Sequence, residues 1–228
     1  MAATGVLVGM KSEAACLVPL GDAVTVACSG ARADLARARA EALAAGGVSA
    51  LLSFGIAGAL APGLPPGALL LPRAVVAGRG EWAVSAEWHR RVTELAGEAG
   101  LPLLSEVTLA GSDGAVTGAA GKAALAASSG SAAVDMESHI LAEVAARHGL
   151  PFLVLRAIAD PAERGIPGPA LAGLGPDGET RPGAVALRLL AAPWTLPALL
   201  RLAKDSEAGL KALRAAVSAL GATAFRAF

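Results

Sequence analysis

The stretch from Ala133 to Asp160 constrains the fold more than any other part of the chain. Met136 to His148 has helical spacing, with Ile140 and Val144 on one face, Gly149 past its end and Pro151 just beyond. Glycine is favoured where a helix stops, and proline cannot continue one. Phe152-Leu153-Val154-Leu155 is then continuously apolar, the pattern of a strand buried on both faces. Such strands belong to a mostly parallel sheet covered by helices on both sides. Two carboxylates are placed by this arrangement, Glu137 where the helix begins and Asp160 where the strand stops. Ligands of open α/β sheets sit outside the carboxyl ends of the strands.

The remaining chain repeats the alternation. Val6 to Val8 and Ala23 to Ala27 read as strands. Ala33 to Ala45 reads as a helix of strong helix formers, with Arg37 and Glu41 paired at i,i+4 and Gly46 and Gly47 to end it. Strands are expected over Val48 to Phe54, Leu69 to Ala77 and Val107 to Ala110, a glycine turn at Gly55 to Gly58, and a helix over His89 to Ala99. Residues 161–181 are rich in glycine and proline, a pattern shared by binding loops and by simple disorder. Ala184 to Leu220 looks helical, split by Pro193 and Pro197, and Arg188 is the one charge in its first half, Ala184 to Leu200. The expectation is a single α/β domain over 1–228: three layers, α/β/α, around a mixed, mostly parallel sheet. Residues 161–181 would be a loop and 182–228 an apolar helical appendage.

Composition excludes several classes. With 54% hydrophobic and 17% charged residues, a membrane span must be considered. The longest uncharged run, between Glu41 and Arg73, is broken by glycines and prolines, whereas a span needs about 20 mostly apolar residues. Basic and acidic residues balance at 19 each, which offers no bulk attraction to nucleic acid. Cys16 and Cys28 form no CxxC, and the chain opens with no signal peptide, which fits a reducing cytoplasm. His89, His139 and His148 lack metal-ligand spacing, and the glycine-rich turns spell neither a Walker loop nor a dinucleotide fingerprint. No metal or organic cofactor is expected.

Cleaving a base from a ribose passes through an oxocarbenium-like sugar, and a purine leaves more easily once its N7 is protonated. The chemistry asks for a general acid beside the base, a carboxylate on the ribose hydroxyls and a positioned nucleophile. Asp160, Glu137 and Glu13 supply residue types for these roles, although an acid at a strand end is as readily a cap or loop residue.

Several segments in order carry a resemblance. Val8-Gly9-Met10-Lys11-Ser12-Glu13, Ser29-Gly30, Phe54-Gly55-Ile56-Ala57-Gly58-Ala59-Leu60, Gly111-Ser112-Asp113, Val134-Asp135-Met136-Glu137 and Arg156-Ala157-Ile158-Ala159-Asp160 resemble the motifs of the purine nucleoside phosphorylase/nucleosidase superfamily. The Asp-Met-Glu-Ser-His wording and the apolar C-terminal segment are most similar to the hopanoid-associated phosphorylases, thought to release adenine from adenosylhopane. The resemblance implies that Asp160 protonates N7, that Glu137 binds the ribose 2′-hydroxyl with Asp135 and Met136 beside it, and that Glu13 orients an attacking water. It implies that Gly30 and the Gly55-Ile56-Ala57-Gly58 turn face the nucleophile, water or phosphate, and that Ser112, Asp113 and Ala115 lie by the substrate.

The departures bear on mechanism. Ile56 and Ser53 occupy positions where phosphorylases of the superfamily often carry a serine and an arginine, so the usual grip on phosphate is lost. Lys11 and Arg32 are left either as its cations or as surface charges. Hydrolysis is therefore favoured over phosphorolysis, with phosphate kept as a conceivable co-substrate. Beside related nucleosidases of small thioethers the segment Gly78 to Ser85 is short, which opens the 5′ side to a large apolar group, and Gly114 and Ala115 stand where a bulky aromatic often packs on the base; Trp82 either lines that opening or is a packing residue. Residues 184–200 meet either lipid, as a peripheral contact, or protein, in a core or a homodimer or higher homo-oligomer. The rival functions are a soluble methylthioadenosine/adenosylhomocysteine-type nucleosidase or purine nucleoside phosphorylase, and a nucleoside-binding module without catalysis.

Overall fold

The structure, a computed structural model, describes residues 2–171, 175, 178–179 and 182–227. Part of the expected loop (172–174, 176–177 and 180–181) lies outside the described residues. The strands are β1 Thr4–Val8, β2 Val24–Cys28, β3 Ala50–Ala59, β4 Leu69–Leu70, β5 Ala74–Ala77, β6 Gly80–Ala83, β7 Thr108–Gly111, β8 Ala133–Asp135 and β9 Phe152–Asp160. The helices are α1 Lys11–Ala14, α2 Ala33–Ala45, α3 Ala86–Glu98, α4 Ala119–Ser129, α5 Ser138–His148, α6 Gly168–Leu171, α7 Pro182–Ala191 and α8 Leu196–Ala224.

The strands form one sheet in the order β2-β1-β3-β8-β7-β5-β6, with β9 alongside β3 and β4 alongside β9. Pairs β1–β2, β1–β3, β3–β9, β5–β7 and β7–β8 are parallel, while β3–β8, β4–β9 and β5–β6 are antiparallel. The sheet is thus mixed and mostly parallel, within three α/β/α layers. On one face Leu51 of β3 packs with Leu43 of α2 and Val48 around Gly5. On the other, Leu52 and Leu155 meet Trp88 of α3 and Leu220 of α8. The Trp88 indole N–H also donates to the carbonyl of Ala224 (2.7 Å), so the largest buried side chain leaves no polar atom unpaired.

Strand β3 is the seam. It pairs with β1 through Ala50 to Ser53, with β9 from Leu51 to Gly58, and with β8 through Gly58 and Ala59. The β3–β9 register shifts between Ala57 and Gly58, which sets Gly58 opposite Asp160. A bulge of this kind re-aims side chains, and here it lies at the strand end that carries the acid.

The expected turn at Gly55 to Gly58 is absent, because these residues continue β3 with β9 pairing along them. Their glycines serve close approach rather than chain reversal. The expected strand over Leu69 to Ala77 is interrupted at Leu71 to Arg73, where Pro72 has no N–H for a ladder. Helix α5 begins at Ser138 rather than Met136, because Ala133–Asp135 extends as β8. Pro193 breaks the C-terminal helix as expected, but Pro197 does not: it sits in the first turn of α8, where a missing N–H costs nothing. The segments on either side of the Pro193 break are bent by 119°, and no single described helix is long and apolar enough to cross a membrane.

Candidate functional site

A cavity of about 220 Å³ opens where β3, β8 and β9 end and α1 and α5 begin. Its wall takes Gly9, Met10 and Glu13 from the first connection, Ile56, Ala57 and Gly58 from β3, and Asp135, Met136 and Glu137 from the β8–α5 junction. Ala159 and Asp160 of β9, Gly114 to Val116, Ala31, Val134 and Ile166 complete it. The carboxylates singled out from the sequence therefore share one cavity, although they are far apart in the chain.

Arg156 organises the floor. It is fully buried on β9, and its guanidinium bonds the Asp135 carboxylate, Ser53 Oγ (2.6 Å) and Ser138 Oγ (3.3 Å), with Glu137 Oε2 at 3.5 Å. Asp135 is held in turn by the Ser138 hydroxyl and by the Ser138 backbone N–H (3.2 Å), which makes it the anchor of the start of α5. Three buried carboxylates, Glu13, Asp135 and Glu137, surround this one cation. Burial pushes the Glu137 carboxyl up to about 7; Arg156 opposes this, and Asp135 and Glu13 reinforce it. Ser29 donates a hydrogen bond to Glu137 Oε1 (3.3 Å).

Glu13 reaches back over the start of α1. Its Oε2 accepts the backbone N–H groups of Gly9 and Met10 (2.8 Å each), and its Oε1 accepts that of Ile56 (2.8 Å). Burial raises its carboxyl above the ordinary range, against the pull of Arg156 and of these three donors. A buried carboxylate of raised basicity, fixed in place by backbone, has the properties of a general base. The Ile56 N–H, expected to face the nucleophile, faces Glu13 instead.

Asp160 is the last residue of β9, with both carboxylate oxygens beside the Cα of Gly58. Burial raises its carboxyl; Lys122, whose ammonium bonds Oδ2, opposes the rise. Lys122 is 1% exposed and also donates to the carbonyls of Pro161 (2.9 Å) and Arg164 (3.0 Å). Neither Lys122 nor the organising role of Arg156 emerges from the sequence analysis. A signal for Lys122 exists: it is the sole charge between Asp113 and Asp135, a lone ammonium in an alanine-rich helix.

Other expected site residues lie elsewhere. Trp82 sits half-buried against the core on β6, the edge strand three places from β8, and does not line the cavity. Ser112 is tied to its own turn through Gly114, and Asp113 is exposed and bonds His139 Nε2 (3.0 Å), so Ala115 alone of the three reaches the wall. Gly30 turns the chain in the left-handed region (φ 65°) while its neighbour Ala31 lines the cavity. Gly55 lies behind Glu13 rather than on the cavity surface. Lys11 pairs with Glu179 (2.5 Å) and Arg32 with Asp34 (2.5 Å).

Residues 10–191 match the family model described as the phosphorylase superfamily. No curated protein sequence matches the chain. The structure is similar to that of 5′-methylthioadenosine/S-adenosylhomocysteine nucleosidase from Helicobacter pylori (TM-score 0.68, 19% identity, covering 96% of this chain and 98% of that one). It is also similar to futalosine hydrolase of Helicobacter pylori (TM-score 0.67, 19% identity, 95% and 97%). A putative nucleosidase of the first kind from Francisella philomiragia gives a TM-score of 0.65 at 20% identity, over 93% of this chain and 98% of that one. At these identities the likeness is one of fold, and it is the family match, over most of the chain, that shows membership: the chain belongs to the phosphorylase superfamily.

Proposed function

We propose that the protein cleaves the N-glycosidic bond of an adenosyl substrate, releasing adenine, with adenosylhopane as the favoured substrate and hopanoid lipid synthesis as its setting. The observation that carries the cleavage is the convergence of Asp160, Glu137 and Glu13 on one cavity. Asp160 donates to N7 as the bond breaks, Glu137 holds the ribose hydroxyls, Met136 packs on the sugar, and Glu13 orients the nucleophile. A module without catalysis would have no need to bury three carboxylates around one arginine, an arrangement costly in desolvation.

Water is the better nucleophile. The described wall carries Glu13, Asp135, Glu137 and Asp160 and neither lysine nor arginine, so a phosphate dianion would sit among like charges. The reading needs no cofactor and leaves phosphate as a co-substrate to be tested. A 220 Å³ cavity lies below the roughly 300–1,000 Å³ of drug-sized pockets, so a bulky 5′ group must extend past its mouth. The outward-facing Leu187, Leu190, Trp194 and Leu200 supply apolar surface for a lipid, or for a second copy in a homo-oligomer. This reading places the enzyme in the cytoplasm, at the inner face of a membrane.

The small cavity also favours a second reading, a nucleosidase of small adenosyl thioethers like the Helicobacter pylori enzyme. The test is adenine release from adenosylhopane and from methylthioadenosine, each with and without phosphate. Release from the lipid alone supports the first reading, and release from the thioether alone the second. A requirement for phosphate overturns water as nucleophile, and release from neither overturns adenine release from both substrates.

A further inference from the structure

Lys122 is a buried cation with no part in the roles of Asp160, Glu137 and Glu13 described above. It projects from the first turn of α4, 1% exposed, and its ammonium has three acceptors: Asp160 Oδ2 and the carbonyls of Pro161 and Arg164. An ammonium has three protons, so every donor is matched and the side chain is fixed. With Oδ2 taken by Lys122 and the Cα of Gly58 packed on the carboxylate, Oδ1 is the oxygen left to face the cavity. Lys122 lies outside the cavity wall. Its route to the reaction is through Asp160.

We propose that Lys122 is a positioning residue for base release, the fixed counter-ion of the carboxylate that Asp160 becomes when it gives its proton to the purine. The inference rests on the proposed cleavage reaction. In the step concerned, the C1′–N9 bond breaks and its electron pair goes to the base. The Oδ1 proton moves to N7, negative charge develops on Asp160, and water captures the ribose cation through its oxygen while giving up a proton to Glu13, the carboxylate that orients it. A cation already seated on Oδ2 in a dry site stabilises that charge without reorganisation. The same contacts tie Pro161 and Arg164 to α4, so the acid and the segment that follows it are fixed together.

Two variants and two substrates test this: Lys122→Met and Lys122→Arg, with methylthioadenosine or adenosylhopane, whichever the wild type cleaves, and with para-nitrophenyl riboside. Nitrophenolate leaves without being protonated, so its release needs no acid. Lys122→Met is expected to lose about 10²-fold in adenine release and to keep most of its nitrophenolate release. The alkaline limb of its adenine-release profile moves to higher pH, because an Asp160 without its cation holds its proton longer. Lys122→Arg keeps the limb in place. Equal loss on both substrates with an unmoved limb would make Lys122 a structural residue and overturn the proposal. If Lys122→Met does not fold, Lys122→Arg decides, because a retained charge must spare the limb and a displaced limb refutes the assignment. Inactivity of the wild type on every riboside counts against the reaction itself, not against the role of Lys122 within it.

Discussion

Glu13 and Glu137 converge on the point where Gly9 would carry a side chain: a Cβ built there would lie 2.9 Å from Glu137 Oε1 and 3.4 Å from Glu13 Oε2. The two carboxylates approach because Gly9 has no side chain. With Asp135 they share the single guanidinium of Arg156, so the buried cluster is short of positive charge and holds a proton near neutrality. A cluster that changes protonation close to neutral pH suits a reaction that must hold a sugar cation and activate water.

Glu137→Gln should therefore gain stability relative to the wild type as pH rises. The Glu137 carboxyl goes from about 4.5 in an open chain to about 7 in the fold. A raised acid binds more protons folded than unfolded, so its contribution is fully present below about 4.5 and is lost as pH rises through about 7. Glutamine has no such charge. Denaturant unfolding at pH 4.5 and pH 8 should show the difference between variant and wild type moving by roughly 3 kcal/mol in favour of the variant. A difference independent of pH would mean that Glu137 titrates normally.

Asp160→Asn should release adenine about 10²- to 10⁴-fold more slowly, the usual worth of a general acid, while purine affinity changes little. The amide still presents a hydrogen-bond donor to N7 but has no proton to lose. Single-turnover adenine release measures the first quantity and equilibrium binding of adenine the second. A near wild-type rate would remove Asp160 from the role of acid.

Much of this was legible in the sequence, and the parts that were not have physical reasons. Gly149 and Pro151 announce the end of α5, and the apolar run from Phe152 announces β9, because these signals are local. The continuation of β3 through Gly55 to Gly58 was not legible. Glycines ordinarily mark turns, and what keeps them extended is the pairing partner β9, about a hundred residues away. Asp160, Glu137 and Glu13 could be named from motifs, but not the Arg156 cluster that holds Glu13 and Glu137, since its charge balance exists only once β3, β8 and β9 are adjacent. Trp82 was open in the sequence between a ligand wall and a packing role, because its neighbours across the sheet are not local, and on the edge strand it packs against the core.

Gly55→Ala should cost both stability and activity. Gly55 has φ 153°, and a Cβ there would overlap the Glu13 carboxylate and the Arg156 guanidinium. The methyl group would have to displace one of them, leaving a buried charge without its partners, a change of about 3–5 kcal/mol for ion pairs broken in this way. Thermal unfolding and adenine release should fall together. Gly63→Ala is the control: it also has positive φ (78°), but the added methyl meets nothing within 4 Å, so only the backbone strain, of order 1–2 kcal/mol, should appear and activity should survive.

Helices α7 and α8 and the turn between them present an apolar surface. Leu187, Leu190, Trp194 and Leu200 are 70%, 81%, 76% and 62% exposed, which is more apolar surface than scattered single residues would give. Arg188, Arg201 and Lys204 are exposed among them, and residues 182–204 contain no acidic side chain. Apolar residues with a tryptophan, interspersed with cations, suit an anionic lipid surface better than the largely uncharged centre of a protein interface. The protein should float with vesicles containing anionic phospholipid and less with neutral ones, and the double substitution Leu190→Ser, Trp194→Ser should abolish flotation. These side chains do not line the cavity, so turnover of a small adenosyl substrate should be unchanged. If the wild type does not float and the double variant instead shifts a dimer to a monomer, the surface is an interface between copies, and the lipid must reach the cavity by another route.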